Sequence, residues 1–117
     1  MKIASMTNYR FGDIVLISFY YASSNQDKKR PALVILDSGD SDLVLAPITS
    51  QSKNHKGDCF LKEWKDANLL KPSWARIGKI NTLEKNLVIR KLGELNETDK
   101  QIISKTWHEL YLINPLG

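Results

Sequence analysis

The chain has 117 residues, 42% hydrophobic and 26% charged, which fits one domain over residues 1–117 and excludes a disordered or fibrous chain. A lone cysteine, Cys59, excludes an intrachain disulfide and is expected to be a small buried apolar residue; no apolar run nears the roughly 20 residues needed to cross a bilayer. The net charge is +4, yet residues 52–91 hold ten Lys/Arg against four Asp/Glu, while 1–51 hold five of each and 92–117 two against four, so mid-chain is a positive field suited to polyanions.

The start, Met1 to Asn8, lacks the continuous apolar stretch of a secretion signal, so a cytoplasmic location is expected. Ile14-Val15-Leu16-Ile17 makes Asp13 to Tyr20 an apolar first strand, and Ala22 to Lys29 reads as an exposed loop. Pro31 to Leu36 is a second strand, with Pro31 at its start because it lacks an amide hydrogen. Asp37-Ser38-Gly39-Asp40-Ser41 is a tight turn into a third strand, Asp42 to Ile48, which completes a hairpin.

Asp58 to Leu61 is a fourth strand, followed by one or two helical turns over 62–69 with Trp64 packed beneath. Ser73 to Ile80 and Leu87 to Lys91 are further strands, separated by the polar Glu84-Lys85-Asn86, and Gly93 breaks the last one. Short strands at this spacing predict a mainly β protein built as a small barrel. Asn96 is placed to cap a terminal helix with Glu97 and Asp99 in its first turn, and Asn114-Pro115 to stop it. Ile103, Trp107, Leu110 and Ile113 share one face, a stripe for core or dimer packing.

Two segments carry more chemistry than a scaffold needs. Lys28-Lys29-Arg30-Pro31 sets three cations where a loop enters a strand, and Thr49-Ser50-Gln51-Ser52 gathers hydroxyls and an amide where a strand ends. Lys28, Lys29, Lys53 and Lys56 are phosphate-contact candidates or solvated loop charges, and Gln51 is a base reader or a turn cap. Tyr20, Tyr21 and Trp74 offer rings on which bases could stack, with burial in the core the favoured reading for Trp74. His55, in a polar loop read as mobile, has the residue type of a general base, and His108 reads as structural or exposed. No spacing suggests a metal site or a phosphate-binding glycine loop, so neither a metal nor a cofactor is expected.

The ordered series Gly12-Asp13-Ile14-Val15-Leu16, Lys29-Arg30-Pro31-Ala32-Leu33-Val34-Ile35 and Leu45-Ala46-Pro47-Ile48-Thr49-Ser50-Gln51 resembles the MazF/PemK toxin pattern. So do Lys71 to Ile80 and Arg90-Lys91-Leu92-Gly93 before the terminal helix. The resemblance implies a single SH3-like small β-barrel with a C-terminal helix, working as a homodimer. It implies a metal-independent endoribonuclease cutting single-stranded mRNA, neutralised by a cognate acidic antitoxin. Arg30, immediately before the proline of the second strand, matches the family's catalytic arginine, and Thr49 its catalytic threonine or serine, with Ser50 adjacent. RNA supplies its own nucleophile in the 2′-hydroxyl, so the protein needs only to hold the phosphate in line and stabilise its charge. The alternatives are a catalytically inactive barrel that binds RNA or an antitoxin, and a toxin akin to the gyrase poisons, which act through a C-terminal segment.

Overall fold

The computed structural model describes residues 7–21, 26–51 and 54–112, with the backbone alone at 19–21, 26 and 27. Three antiparallel strands form its centre: β1 (Asp13–Tyr21), β2 (Gln26–Leu36) and β3 (Asp42–Thr49). Alternate residues feed two separate cores. Ile14, Leu33, Ala46 and Ile48 enter the larger one, while Val15, Ile17, Ala32, Val34, Leu43 and Leu45 build a smaller one on the other face. Burial on both faces is why these strands are almost continuously apolar instead of alternating.

The remaining elements cover those faces. β4 (Asp58–Phe60) pairs with β5 (Trp74–Arg76), and β5 pairs with the end of β3 at Ile48 and Thr49. β6 (Asn81–Glu84) pairs with the start of β3, and β7 (Val88–Glu94) with β1. The helix α1 (Glu97–Tyr111) brings Ile103, Trp107 and Leu110 onto the larger core. Leu83, Val88 and Tyr9 pack on the smaller one.

The mainly β class with a C-terminal helix is as expected. The hydrogen-bonded path runs β4-β5-β3-β2-β1-β7 and stays open among the described residues, with bulges in β1–β7 and β2–β3 that coil it. No helix among the described residues is long and apolar enough to cross a membrane.

Several local expectations are corrected. The expected loop Ala22 to Lys29 is strand from Gln26 onward, where β2 begins, and Lys28 and Lys29 pair with Phe19 and Ser18; residues 22–25 lie outside the described residues. Pro31 therefore lies inside a strand. It is tolerated because the β3 ladder begins only at Ala32↔Pro47, leaving β2 paired on one side at Pro31. Residues 62–69 form successive turns, Asp66 N–H to Glu63 and Asn68 N–H to Lys65, instead of a helix, although Trp64 does pack on the core. Ser73 to Ile80 is strand only over Trp74–Arg76 and then a 3-10 turn, Ile77–Lys79.

Gly93 does not end β7; it pairs with Ile14 inside the strand. A Cβ there would lie 2.4 Å from the Ala67 carbonyl oxygen, so glycine is what lets the 62–71 segment close against β7. Asn68, at φ +63°, ties the same contact by donating Nδ2–H to Leu92 O at 2.8 Å. From the other side the buried Asp99 carboxylate accepts the amides of Lys62 and Glu63, each at 2.9 Å. Asn96 caps α1 as expected, its Oδ1 accepting from Asp99 N–H at 3.1 Å. The helix closes at Tyr111; Ile113 and the Asn114-Pro115 stop lie outside the described residues.

Candidate functional site

The register of β2 on β3 places the two leading residues. Val34↔Leu45, Leu33↔Ala46 and Ala32↔Pro47 pair in turn, and the same register carried outward sets Arg30 opposite Thr49. Paired residues share a face of the sheet, so Arg30 and Thr49 continue the row of Val34/Leu45 and Ala32/Pro47 past the end of the smaller core. On its other flank Arg30 pairs with Ile17. The guanidinium is exposed, and Thr49 is half-buried.

Two hollows meet at this pair. The larger, about 860 Å³, takes Leu16, Pro31 and Ile48 from the strands, Ser50, Gln51, Asn68 and Lys71 from loops, and Arg90 from β7. The smaller, about 400 Å³, takes Ile17, Ala32 and Leu45 with Arg76, Asn81 and Leu83. Arg30 and Thr49 line both. Among the described residues the cations are Arg30, Lys71 and Arg90 in one hollow and Arg30 and Arg76 in the other, and no Asp or Glu lines either. A groove of one sign of charge attracts an anionic chain.

Thr49 is held by the strand-end turn. Its Oγ1 accepts the Gln51 amide hydrogen at 3.1 Å and lies 3.2 Å from Gln51 O, to which it donates. The strand-end turn thus fixes the oxygen, while the hydroxyl hydrogen can rotate from that long bond to a ligand. Gln51 serves the turn through its backbone and presents its side chain to the larger hollow.

The other sequence candidates separate. Ser50 and Gln51 join Arg30 and Thr49 at the cleft. Lys28, Lys29 and Lys56 line neither hollow, because the first two point off the two-stranded part of the β1–β2 hairpin and Lys56 sits in the turn before β4. Lys53 lies outside the described residues, as does the side chain of Tyr20, whose backbone is in β1. His55 is not in a loose loop: its Nδ1 is 2.7 Å from Arg76 Nη2. His108 is exposed, with Nδ1 2.9 Å from Ser104 O. Trp74 is half-buried and stacks on its cross-strand partner Phe60, ring centroids 5.2 Å apart, instead of entering the cleft or either core.

Part of the positive mid-chain field is spent on internal pairs. Lys85 is buried against Asp37, Lys91 meets Asp13 at 3.2 Å and Glu94 at 2.7 Å, and Arg76 meets Asp58 at 3.2 Å. Lys71, Arg76 and Arg90 are cleft cations that sequence reasoning missed, and the two arginines carried a signal. The available signal was a cation amid small and apolar neighbours, Trp74-Ala75-Arg76-Ile77 and Val88-Ile89-Arg90, where a strand does not ordinarily carry charge. Cys59 is buried as expected, its thiol 3.1 Å from Thr106 Oγ1. No cluster of His, Cys, Asp or Glu among the described residues could hold a metal.

The fold is shared with solved toxins at low identity. An endoribonuclease in complex with its cognate antitoxin, from a mycobacterial species, superposes with a TM-score of 0.74 at 17% identity, covering 92% of this chain and 100% of that one. A MazE–MazF structure from Deinococcus radiodurans gives 0.71 at 15% identity over 89% and 96% of the two chains. Mycobacterium tuberculosis toxin MazF-mt6 gives 0.67 at 14% over 86% and 98%. No curated protein matched the sequence. A family model for the PemK-like, MazF-like toxin of type II toxin-antitoxin systems matches residues 10–110. Since that match takes in every described strand and nearly all of α1, the chain belongs to the PemK-like, MazF-like toxin family of type II toxin-antitoxin systems.

Proposed function

We propose that this toxin is an endoribonuclease that cuts single-stranded mRNA without a metal, with Arg30 and Thr49 at the scissile phosphate. The observation that carries the reading is the register that sets Arg30 across from Thr49 between two cationic hollows. A strand of RNA crossing that divide has its phosphate at the pair and a nucleotide on either side. The Arg30 guanidinium, a planar fork of donors, stabilises charge on the phosphoryl oxygens as the 2′-hydroxyl attacks in line. Thr49 donates its hydroxyl hydrogen to the same phosphate. The P–O5′ bond breaks, the 5′-oxygen takes a proton from Arg30 or water, and the products are a 2′,3′-cyclic phosphate and a 5′-hydroxyl. Among the described residues no carboxylate or imidazole lines either hollow, so the 2′-hydroxyl proton is assigned to solvent.

We further propose that residues 1–117 act as one toxin domain in a cytoplasmic homodimer whose cognate acidic antitoxin neutralises it. The relatives whose structures carry an antitoxin support that partner, and the net charge of +4 suits an acidic one. The test is incubation of the protein with long single-stranded RNA in excess EDTA, with ends mapped by primer extension. Discrete cuts with 5′-hydroxyl ends, reduced about 10³-fold or more in Arg30→Ala, are expected. Intact RNA, or cutting by Arg30→Ala at the wild-type rate, overturns the reading.

A further inference from the structure

Arg76 is a cleft cation held from behind by two other side chains. Its Nε lies 3.2 Å from Asp58 Oδ1, and the Asp58 side chain is only 3% exposed. The other carboxylate oxygen, Oδ2, has no hydrogen-bond partner among the described residues, so Asp58 depends on this guanidinium for its compensation. At the opposite corner Arg76 Nη2 is 2.7 Å from His55 Nδ1. A guanidinium has donors only, so Nδ1 is the acceptor and carries no proton. That leaves Nη1 and the second Nη2 hydrogen without a partner among the described residues.

The geometry that aims His55 is built into its turn. Asp58 N–H donates to His55 O at 3.0 Å, and Ile77 N–H to Gly57 O at 2.8 Å, which stitches the turn to the end of β5. Gly57 has φ +91°, and a Cβ on it would lie 2.7 Å from both Gly78 N and Leu110 Cδ1. The turn is therefore wedged between the 3-10 segment and α1, which sets its backbone beside the end of β5.

The register also gives Arg76 its face. Ile48 pairs with Ala75 and Thr49 with Trp74, so continuing the ladder sets Arg76 opposite Pro47, on the face of Thr49 and Arg30. It lines the smaller hollow with both of them.

We propose that His55 and Asp58 are positioning residues that clamp Arg76, so that its free N–H groups meet an RNA backbone phosphate in the smaller hollow. This rests on the endoribonuclease reading for its ligand.

The experiment measures binding and cutting separately. A fully 2′-O-methylated RNA oligonucleotide, which has no nucleophile, reports affinity by fluorescence anisotropy; the unmodified strand in EDTA reports cleavage. Arg76→Ala is expected to bind the methylated strand about tenfold more weakly, with a salt slope shallower by about one. His55→Asn puts an amide oxygen where Nδ1 stands and accepts from Arg76, whereas His55→Ala accepts nothing. His55→Asn is expected to bind the methylated strand as wild type does, and His55→Ala several-fold more weakly.

Equal affinity and salt slope for wild type and Arg76→Ala overturn the clamp's role, as does equal affinity for His55→Asn and His55→Ala. If Arg76→Ala does not fold, because it strands Asp58, the two His55 variants decide alone, since they leave the Asp58–Arg76 pair intact. If wild type binds in this pattern but does not cut, the catalytic reading fails and the clamp stands. If Arg30→Ala abolishes cutting while the His55 and Arg76 variants behave as wild type, the clamp fails and the catalytic reading stands.

Discussion

Asp37 and Lys85, 48 positions apart in the chain, form a buried ion pair: Asp37 Oδ1 lies 3.1 Å from Lys85 Nζ, and the two side chains are 2% and 3% exposed. The pair joins the β2–β3 turn to the segment between β6 and β7. Asp37 also accepts the amides of Tyr9 and Gly39, each at 2.8 Å, so one carboxylate ties three parts of the chain together.

Burial pushes the Asp37 carboxyl up, but the Tyr9 and Gly39 amides and the Lys85 ammonium outweigh it and hold it below its ordinary value. A carboxyl depressed in the folded state contributes stability that is complete above its unfolded value of about 3.9 and lost as the pH drops through the folded one. Asp37→Asn strands Lys85 and is expected to cost about 3–5 kcal/mol at neutral pH. Urea melts check this, and the gap to wild type should close in strong acid. Adding Lys85→Met to Asp37→Asn should restore most of the loss; if it does not, Asp37 acts mainly through its amide partners.

Thr49 tests the site without disturbing the core. Thr49→Val keeps the shape and removes the hydroxyl, so single-turnover cleavage should fall about 10²-fold, while Thr49→Ser should stay within about tenfold of wild type. Thermal melts of both variants near that of wild type would separate chemistry from folding. Full cleavage by Thr49→Val would leave its hydroxyl with the strand-end turn alone.

Asp99 holds one wall of the cleft from a distance. Its two amide bonds to Lys62 and Glu63 secure the segment that carries Asn68, Leu69, Leu70 and Lys71 into the larger hollow. Asp99→Ala leaves both amides unpaired under α1 and should cost roughly 2–4 kcal/mol in urea unfolding. Asn96→Ala, which removes only the helix cap, should cost about 1 kcal/mol. Equal costs would mean that the carboxylate serves the helix and not the wall.

Cys59 should be chemically quiet. Burial pushes its thiol up, and the charges of Asp58 and Glu109 add to that against the Thr106 hydrogen bond. Iodoacetamide should alkylate the native protein at neutral pH on the order of tenfold or more slowly than the urea-unfolded chain. Comparable rates would show that the β4–α1 contact opens readily.

Periodicity and turn chemistry made much of this protein legible in its sequence. The apolar runs of β1, β2 and β3 follow from burial on two faces. The Asp37–Ser41 turn follows from Gly39 at φ +93°, and the start of α1 from Asn96 with acidic residues behind it. Arg30 and Thr49 were visible as a cation and a hydroxyl at strand ends. Only the tertiary structure decided how charge is used, because salt bridges depend on distance in space and not along the chain. Lys85, in a polar stretch that reads as a surface loop, is buried because Asp37 waits there. Gly93, which reads as a strand breaker, stays in β7 because Ala67 O needs the room of its missing Cβ. Arg76 and Arg90 reach the cleft through the pairing of β5 with β3 and of β7 with β1, contacts that no local pattern encodes.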